Sequence, residues 1–253
     1  MNQPSEPILQ IKDIAKIYPG EGKSTTVLDH ISFDVYKEFL CIVGPSGCGK
    51  STLLRIIDGL DKPTSGQVLF HGQPITSPSA KIGVIFQTFA LIPWKTVLGN
   101  VLMAISSASI QKEEQLKIAQ KYIQDVGLEG FESSYPKELS GGMKQRVGIA
   151  RALSLQPEVL LMDEPFSSLD ALTAENLRRE VLDIWRDPAY PTGSVIMVTH
   201  NVQEAVEMAD RVVVLSGRPA KIVDDVKIDL ERPRSPRDPT LYDLADRIIS
   251  KIS

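Results

Sequence analysis

Cysteine and histidine are scarce in this chain of 253 residues, which contains two cysteines and three histidines. Two thiols, Cys41 and Cys48, are too few for a disulfide framework, and free thiols are typical of a reducing compartment. The histidines His30, His71 and His200 do not cluster with the cysteines along the sequence. This spacing argues against a metal site built from cysteine and histidine ligands.

Long apolar runs and an excess of basic residues are also missing. Apolar runs such as Val212–Leu215 are short, far below the roughly 20 residues that a membrane-spanning helix needs. Residues 1–7 show neither a basic flank nor an apolar stretch, so we expect no signal peptide. Any role at a membrane is therefore expected to require a partner. The net charge of −4 argues against nucleic acid as that partner.

A glycine-rich segment follows the apolar run Phe39–Val43. Its residues, which match the phosphate-loop pattern G-x-x-x-x-G-K-[ST], are Gly44, Pro45, Ser46, Gly47, Cys48, Gly49, Lys50 and Ser51. A strand that leads through such a turn into a helix directs backbone N–H groups and the positive end of the helix dipole at one point. We expect Lys50 to reach the β- and γ-phosphates, Ser51 to bind Mg²⁺, and Thr52 to contact the α-phosphate side.

The remaining periodicity predicts alternating strands and helices. Strands are predicted within 8–43 and at 68–70, 82–86, 159–162, 194–198 and 211–215, and helices at 50–60, 97–106, 111–126, 140–154, 171–186 and 201–209. This alternation predicts an α/β fold with a mainly parallel sheet that is covered on both faces.

The C-terminal region has a different composition. Charged residues and prolines in 231–239 predict an extended, exposed connector. A last helix is expected after it, because Leu241, Leu244, Ile248 and Ile252 share one face. We expect this face to dock onto the domain.

Two acidic residues follow the apolar strand 159–162. A carboxylate at the C-terminal end of a parallel strand lies at the ligand-binding edge of the sheet. We therefore expect Asp163 to hold Mg²⁺, through water, and Glu164 to act as general base toward the attacking water. The alternative is a strand that simply ends in charged residues.

The segment Leu139–Gln145 predicts a second anion site. Ser140 is a candidate helix N-cap, and Gly141 and Gly142 leave backbone N–H groups accessible in the first turn. Two such sites in one subunit cannot easily serve the same γ-phosphate, so a second subunit is expected to supply this one. An ordinary turn before a helix is the alternative.

In this order, the phosphate loop, Gln87, Leu139–Gln145, Asp163–Glu164, Ser167–Asp170 and His200 resemble the motifs of ATP-binding-cassette (ABC) ATPases. The resemblance covers about residues 7–225. It implies a P-loop ATPase core with a mainly parallel sheet, an N-terminal antiparallel β-subdomain and an inserted α-helical subdomain. By this likeness residues 1–228 form the ATPase domain, with the helical subdomain at about 88–155, and 229–253 form a C-terminal connector and helix.

The resemblance also implies a head-to-tail dimer that holds two ATP molecules, with Mg²⁺, between its subunits. Tyr18 would stack on adenine, and Gln87 would contact Mg²⁺ and the attacking water. Ser140, Gly141 and Gly142 would cap the γ-phosphate bound to the opposite subunit. Asp170 would cross the dimer interface, and His200 would contact the γ-phosphate. Gln87, Glu164 and His200 are thus the candidate catalytic residues.

The short interval between Gln87 and Ser140 favours a transporter subunit. It fits a small helical subdomain and excludes the long coiled coils of chromosome and DNA-repair relatives. The chain has one cassette, whereas translation-factor relatives have two. Residues 89–101 resemble the corresponding segment of nitrate, sulfonate and taurine importers, where it receives a short helix of the membrane subunit. The tail 230–234 is similar to the same subfamily.

Two alternatives remain open for the packing of residues 91–94. Leu91, Ile92 and Trp94 could form an exposed docking patch, or they could pack inside the helical subdomain.

Our interpretation is a peripheral ATPase subunit at the cytoplasmic face of the membrane, bound to a permease through about 88–101 and to a second ATPase subunit. An extracytoplasmic solute-binding protein would act indirectly. The rival classes are a soluble ABC ATPase of nucleic acid or ribosomes and a small-molecule kinase.

Two segments depart from the family pattern. Tyr36–Phe39 lacks the usual glycine, so the turn before the central strand is expected to be tighter or reshaped. Residues 186–193 are longer than in many relatives, and we expect them to lengthen a surface loop without an assigned function.

Overall fold

The computed structural model describes residues 6–20, 22–106, 110–235 and 238–252. These residues form two compact units. We call Met1–Ser79 with Gly193–Ser253 the split unit, and Ala80–Thr192 the central unit. The parts of the predicted ranges 1–228 and 229–253 that fall on 1–5, 21, 107–109, 236–237 and 253 lie outside the described residues.

Ten strands and seven α-helices are present in the described chain. The strands are β1 Leu9–Tyr18, β2 Thr25–Val35, β3 Phe39–Val43, β4 Ser65–Phe70, β5 Gln73–Pro74, β6 Ile82–Ile85, β7 Val159–Asp163, β8 Ser194–Thr199, β9 Arg211–Leu215 and β10 Ile222–Lys227. The helices are α1 Lys50–Ile57, α2 Val97–Ile105, α3 Lys112–Asp125, α4 Gly141–Leu153, α5 Ala171–Arg186, α6 Val202–Met208 and α7 Pro239–Ile252.

The split unit contains an antiparallel sheet and a mainly parallel group of strands. The antiparallel sheet has the order β2-β1-β4-β5. In the parallel group, β3 lies between β8 and β9, and β10 joins β9 in the antiparallel direction. Every residue of β3 and β8 is buried. Continuous burial explains why these strands are apolar along their whole length rather than on alternate residues.

The central unit combines a parallel strand pair with helices. Strand β6 pairs with β7 from Ile82 opposite Val159 to Ile85 opposite Met162. Helices α2, α3 and α4 pack against one another, and α4 also contacts β6 and α5. The α/β class, the antiparallel N-terminal sheet and the helical segment after β6 are therefore confirmed.

Most predicted elements occur within one or two residues of their expected ends, but β4 begins three residues before the predicted strand 68–70. Helix α1 ends at Ile57 rather than near residue 60, because Gly59 adopts a φ of 79° and Leu60 N–H bonds back to the Arg55 carbonyl. This left-handed turn ends the helix. The strands β5 and β10 were not predicted, since β5 has only two residues and the adjacent pair Asp224–Asp225 interrupts the alternation of apolar and polar residues in β10.

The prediction of an exposed connector at 231–239 is wrong at two arginines. Arg234 is only 9% exposed, and Arg232 is half-buried. Arg234 donates to the carbonyl oxygens of Val206 and Ala209, and Arg232 donates to that of Met208. The last carbonyls of a helix have no partner within the helix, so these guanidinium groups satisfy the C-terminal end of α6.

The predicted docking of the last helix is confirmed. Helix α7 contacts α6, β9 and β10, and it buries Leu241, Ala245 and Ile248. Leu244 and Ile252 are half-buried at the edge of the same face. Because the arginines of the connector bind α6 just before α7 begins, the connector fixes where α7 starts.

The two departures from the family pattern have local explanations. Before β3, Tyr36 N–H donates to Glu38 Oε1 at 3.1 Å, and Arg211 lies 3.2 Å from the same carboxylate. A side-chain carboxylate thus closes the turn in which glycine is missing. Burial raises the pKa of Glu38.

The longer loop after α5 packs against α3 within the central unit. Tyr190 donates its hydroxyl to Asp125 Oδ2 at 2.6 Å, and its ring lies 5.9 Å from that of Tyr122. The Lys121 ammonium group lies 4.6 and 4.5 Å from these two ring centroids. The loop is therefore held by a cation–π cluster.

None of the helices within the described ranges is long and apolar enough to cross a membrane.

Candidate functional site

The phosphate loop adopts a conformation that requires glycine. Gly47 has a φ of 75° and Gly49 a φ of 129°, both in the left-handed region. A Cβ atom on Gly49 would lie 2.8 Å from Val27 Cγ1 and 2.9 Å from Leu28 Cδ2. Gly49 also occupies the N-cap position of α1, where it has no side chain to cover the helix N-terminus. The loop therefore brings its backbone to the anion-binding end of a helix.

Carbonyl groups of the same loop accept hydrogen bonds from a buried cation. Lys50 is 4% exposed, and its Nζ donates to Gly44 O at 2.9 Å and Pro45 O at 3.1 Å. Cys48 N–H donates to Pro45 O at 3.3 Å. An anion is bound by N–H groups and repelled by carbonyl oxygens. The hydrogen bonds from Lys50 keep the carbonyl groups of Gly44 and Pro45 turned toward the lysine. This arrangement suits a phosphate chain.

His200 lies at the same sheet edge as the phosphate loop. In the parallel register Val43 pairs with Thr199, so Gly44 and His200 both follow the paired residues. Thr199 donates its hydroxyl to Glu204 Oε2 at 2.7 Å, and this buried contact fixes the backbone before His200. The histidine itself is exposed at this edge. The split unit thus brings together two predicted groups of site residues.

Tyr18 lies in a small polar network in the split unit. Its hydroxyl donates to Asp61 Oδ2 at 2.8 Å, and Lys16 Nζ donates to Asp61 Oδ1 at 2.6 Å. The lysine lies 4.8 Å from the Tyr18 ring centroid. Partial burial opposes ionisation of Asp61, but these hydrogen bonds outweigh it and lower the Asp61 pKa. One face of the partly exposed ring is therefore held in place by charged neighbours.

In the central unit, Ser167 connects Gln87 to Glu164. Gln87 Nε2 donates to Ser167 Oγ at 3.4 Å, and Ser167 Oγ donates to the Glu164 carbonyl at 3.0 Å. Glu164 has a φ of 43°, an uncommon conformation for a residue with a side chain. Asp163, just before it, is the last residue of β7. The structure therefore places the two predicted carboxylates at the strand end, next to Gln87.

Ser140 and Asp170 begin two helices of the central unit that pack together. Ser140 Oγ accepts from Met143 N–H at 3.3 Å, and Asp170 Oδ1 accepts from Thr173 N–H at 3.0 Å. The hydrogen bond from Thr173 lowers the pKa of Asp170. A Cβ on Gly142 would lie 2.5 Å from Thr173 Cγ2, so glycine permits this close approach. The predicted N-cap is confirmed.

The segment after Gln87 is held by two polar side chains. Phe89 and Ala90 have φ values of 60° and 48°, and Arg151 on α4 donates to both of their carbonyl oxygens. Asn100 is fully buried on α2, and its amide bonds both the N–H and the carbonyl of Ile92. These contacts fix residues 89–96 as a shaped loop.

The loop leaves its tryptophan exposed. Trp94 is 76% exposed, whereas Leu91 and Ile92 are half-buried. Of the two alternatives for this segment, packing inside the helical subdomain is therefore wrong for Trp94. Leu91 and Ile92 contribute to both the packed and the exposed side.

The predicted magnesium ligands are chemically suitable. Ser51 offers a hydroxyl, Gln87 an amide carbonyl and Asp163 a carboxylate, and Mg²⁺ prefers such oxygen donors. Within the part of the chain that the structure describes, no group of three or more histidine, cysteine, aspartate or glutamate side chains could hold a metal ion by itself. An ion at these residues would therefore depend on further oxygen atoms, such as those of a nucleotide or water.

Sequence reasoning missed several residues that shape this site. They are Asp61, Asn100, Arg151 and Arg218, the last of which donates to the Gly47 carbonyl oxygen. Asp61, Arg151 and Arg218 act through contacts with distant parts of the chain, whereas Asn100 contacts Ile92, which lies eight positions away. The only available signal was Asn100, a polar residue between apolar neighbours on a helix.

The fold and these residues define a class, the phosphate-loop ATPases with a parallel sheet and a strand that ends in Asp-Glu. The model of the ABC transporter family matches residues 28–167, and the chain belongs to this family. It is an ATP-binding, ATP-hydrolysing cassette.

Several curated proteins are similar over most of their length. The uncharacterized ABC transporter ATP-binding protein MJ0412 of Methanocaldococcus jannaschii is 52% identical over 227 residues, covering 89% of this chain and 84% of the relative. In Synechocystis, the nitrate import ATP-binding protein NrtD is 43% identical over 252 residues, with 96% and 94% covered. The bicarbonate transport protein CmpD of the same strain is 43% identical, with 96% and 88% covered. The aliphatic sulfonates import protein SsuB of Bacillus cereus is 40% identical, with 96% and 95% covered.

Solved structures show the same fold. The ATP-binding cassette MJ0796, described as a dimer in a post-hydrolysis state with ADP and Pi, is 31% identical with a TM-score of 0.77. The match covers 88% of this chain and 100% of that one. A second dimeric structure of MJ0796, described as a bacterial ABC transporter cassette, gives the same TM-score at 32% identity.

Proposed function

We propose that this chain is the ATP-hydrolysing subunit of a membrane importer for a small anion such as nitrate, bicarbonate or an aliphatic sulfonate. The carrying observation is the 40–43% identity to import and transport subunits for these anions, across 88–95% of each relative's length. Bicarbonate extends the range of solutes that the motifs alone indicated. Selection among these anions would belong to the permease and to an extracytoplasmic solute-binding protein.

The residues of each half-site have distinct proposed roles. Backbone N–H groups of the phosphate loop and the Lys50 ammonium bind the phosphate chain, and Tyr18 stacks on the adenine ring. Ser51, Gln87 and Asp163 supply oxygen ligands for Mg²⁺, which offsets the charge of the β- and γ-phosphates. Glu164 accepts the proton of the attacking water, and His200 contacts the γ-phosphate.

We further propose a head-to-tail homodimer. Ser140, Gly141 and Gly142 begin α4 with accessible backbone and would cap the γ-phosphate that the partner's phosphate loop binds. Asp170 would cross the interface close to them. Dimeric structures of the related cassette MJ0796 support this assembly. Binding of ATP would close the dimer, and hydrolysis would reopen it.

The domain organisation and the membrane contact complete the proposal. Residues 1–228 would form the ATPase domain, with a helical subdomain at about 88–155, and residues 229–253 the connector and final helix. The segment 88–101, with exposed Trp94, would bind the permease at the cytoplasmic face of the membrane. This proposal leaves nucleic acid without a role.

The test combines one variant with one purification. Glu164→Gln should bind Mg·ATP, hydrolyse it at least about 100-fold more slowly, and sediment as a dimer. Glu175→Gln changes a half-buried carboxylate on α5 that pairs with Arg179; it is the matched control and should retain wild-type turnover. The wild-type chain should purify with an integral membrane protein. Normal turnover of Glu164→Gln would remove the base role, and stable retention on ribosomes instead of membranes would overturn the transport role.

A further inference from the structure

The turn that joins β9 to β10 reaches the phosphate loop. Arg218 lies in this turn, and its Nη2 donates to the Gly47 carbonyl oxygen at 2.8 Å. The side chain is exposed, and it lies 171 positions from its acceptor in the sequence. Arg218 is thus a cation that contacts the nucleotide-binding loop from outside all the sequence motifs described above.

Backbone hydrogen bonds hold the turn in place beside the loop. Ser216 N–H donates to Lys221 O at 2.9 Å and closes the turn. Ala220 N–H donates to Val27 O at 2.9 Å, and Asp29 N–H donates to Ala220 O at 3.0 Å. The residue Val27 also contacts the position that a Cβ of Gly49 would occupy. The base of Arg218 is therefore fixed relative to the loop that its guanidinium group contacts.

The hydrogen bond acts on a peptide unit that is open on one side. A Cβ atom on Gly47 would have no neighbour within 4 Å among the described residues, whereas Cys48 at the other end of the peptide is buried. The N–H end of the 47–48 peptide bonds to Pro45 O at 3.3 Å, which is a long hydrogen bond. Arg218 holds the other end through a charge-assisted hydrogen bond, which is the stronger type.

Together, two cations hold the carbonyl groups of this loop. Lys50 binds the carbonyls of Gly44 and Pro45, and Arg218 binds that of Gly47. Each carbonyl that points toward a cation is kept from turning toward an incoming anion. Because these carbonyls are already held before binding, less ordering of the loop is needed when an anion binds.

We propose that Arg218 is a positioning residue for nucleotide binding: it holds the Gly47 carbonyl, and with it the 47–48 peptide of the phosphate loop, so that this carbonyl does not turn toward the phosphate chain. This inference rests on the proposed role of the loop. Arg218 acts through the backbone, so its effect should be shared by every nucleotide whose β-phosphate lies in the loop.

The first measurement compares equilibrium binding of Mg·ADP and Mg·ATP to the full chain. Arg218→Ala should weaken both by about the same factor, on the order of fivefold to tenfold, as expected for one lost charge-assisted hydrogen bond. Arg218→Lys should recover part of the affinity. Lys221→Ala is the matched control, because Lys221 is an exposed cation of the same turn that pairs with Asp29 at 3.1 Å. It should bind both nucleotides as the wild type does.

The second measurement detects the position of the loop without nucleotide. Cys48 is 2% exposed in the loop, and Cys41 is fully buried in β3 with a raised pKa. Loosening of the 47–48 peptide in Arg218→Ala should accelerate maleimide labelling of Cys48 severalfold. Cys41 should stay unlabelled and serves as the internal reference for intact folding.

Either of two results would overturn the inference. One is Mg·ADP binding by Arg218→Ala within twofold of wild type, whatever happens to Mg·ATP, since a contact with the γ-phosphate alone would not be positioning. The other is an unchanged labelling rate of Cys48. Lys50→Ala separates this inference from the function beneath it: if that variant binds nucleotide normally, the proposed role of the loop itself is wrong.

Discussion

Arg151 on α4 donates a hydrogen bond to the carbonyl oxygen of Phe89 at 3.0 Å, and its second branch donates to the carbonyl of Ala90. Helix α4 begins just after Ser140, and Phe89 lies two residues after Gln87. The two segments proposed to respond to nucleotide are thus joined by one planar side chain. Burial lowers the pKa of Arg151, although an arginine remains protonated at neutral pH.

Replacing this arginine should separate the two segments. Arg151→Lys retains the charge but cannot bind two carbonyls in a fixed fork, so we expect a loss of about 1–2 kcal/mol in unfolding free energy. Because Phe89 and Ala90 would lose their restraint, the permease complex should hydrolyse ATP more slowly, while the isolated subunit binds ATP normally. Urea unfolding and ATPase assays of the complex measure these effects.

The control for this variant is Arg179→Lys. Arg179 is an exposed residue of α5 that pairs with Glu175 on its own helix. It should show wild-type stability and turnover. Equal ATPase rates for the Arg151→Lys and wild-type complexes would contradict the proposed link between α4 and the segment after Gln87.

The exposed Trp94 gives a prediction about assembly. Trp94→Ala removes a side chain that is 76% exposed, so the unfolding free energy should change by less than about 0.5 kcal/mol. Loss of a central aromatic contact should weaken binding to the permease by about 2 kcal/mol or more. Co-purification with the permease at graded subunit concentrations measures this loss.

A second exposed aromatic residue provides the comparison. Tyr242 on α7 is 49% exposed, and Tyr242→Ala should assemble with the permease as the wild type does. Equal loss of assembly in both variants would indicate a general surface effect and would argue against a docking site at 88–101.

Asp58 predicts an unusual dependence of stability on pH. This carboxyl group lies at the C-terminus of α1, is 5% exposed, and has its pKa raised by burial to about 7. Between about pH 4 and pH 7, the folded state therefore keeps Asp58 protonated, whereas the unfolded state releases this proton near pH 4. The resulting stabilisation is complete below pH 4 and is lost as the pH rises toward 7. Asp58→Asn should flatten this slope, which for one group is at most about 1.4 kcal/mol per pH unit.

The measurement is urea unfolding between pH 5 and pH 8 for both proteins. The difference in unfolding free energy should shift in favour of Asp58→Asn as the pH rises, and it should level off above pH 7. Asp246→Asn, which changes an exposed carboxylate of α7, should reproduce the wild-type slope. Parallel curves for Asp58→Asn and wild type would exclude a proton on Asp58 near neutrality.

Patterns within short segments of the sequence were sufficient to predict many of the structural elements and candidate site residues. The strand before Gly44, the N-cap at Ser140 and the acidic pair at the end of β7 were all recognised from neighbouring residues. Such features depend on local backbone geometry, which a few adjacent side chains determine. The strands β5 and β10 were not predicted, because they are strands through their pairing with β4 and β9 rather than through a pattern in their own sequences.

By itself, the sequence determined the phosphate loop, the order of the motifs and the alternation of strands with helices, since each single motif and most single elements are encoded by a short run of neighbouring residues. Only the tertiary structure decided that Arg234 is buried against α6, that Arg151 holds the Phe89 carbonyl, and that Arg218 reaches Gly47. In the last two contacts the partners are 62 and 171 positions apart. A side chain that bonds to distant backbone leaves no periodic pattern in the sequence, because the fold determines which backbone group lies within its reach.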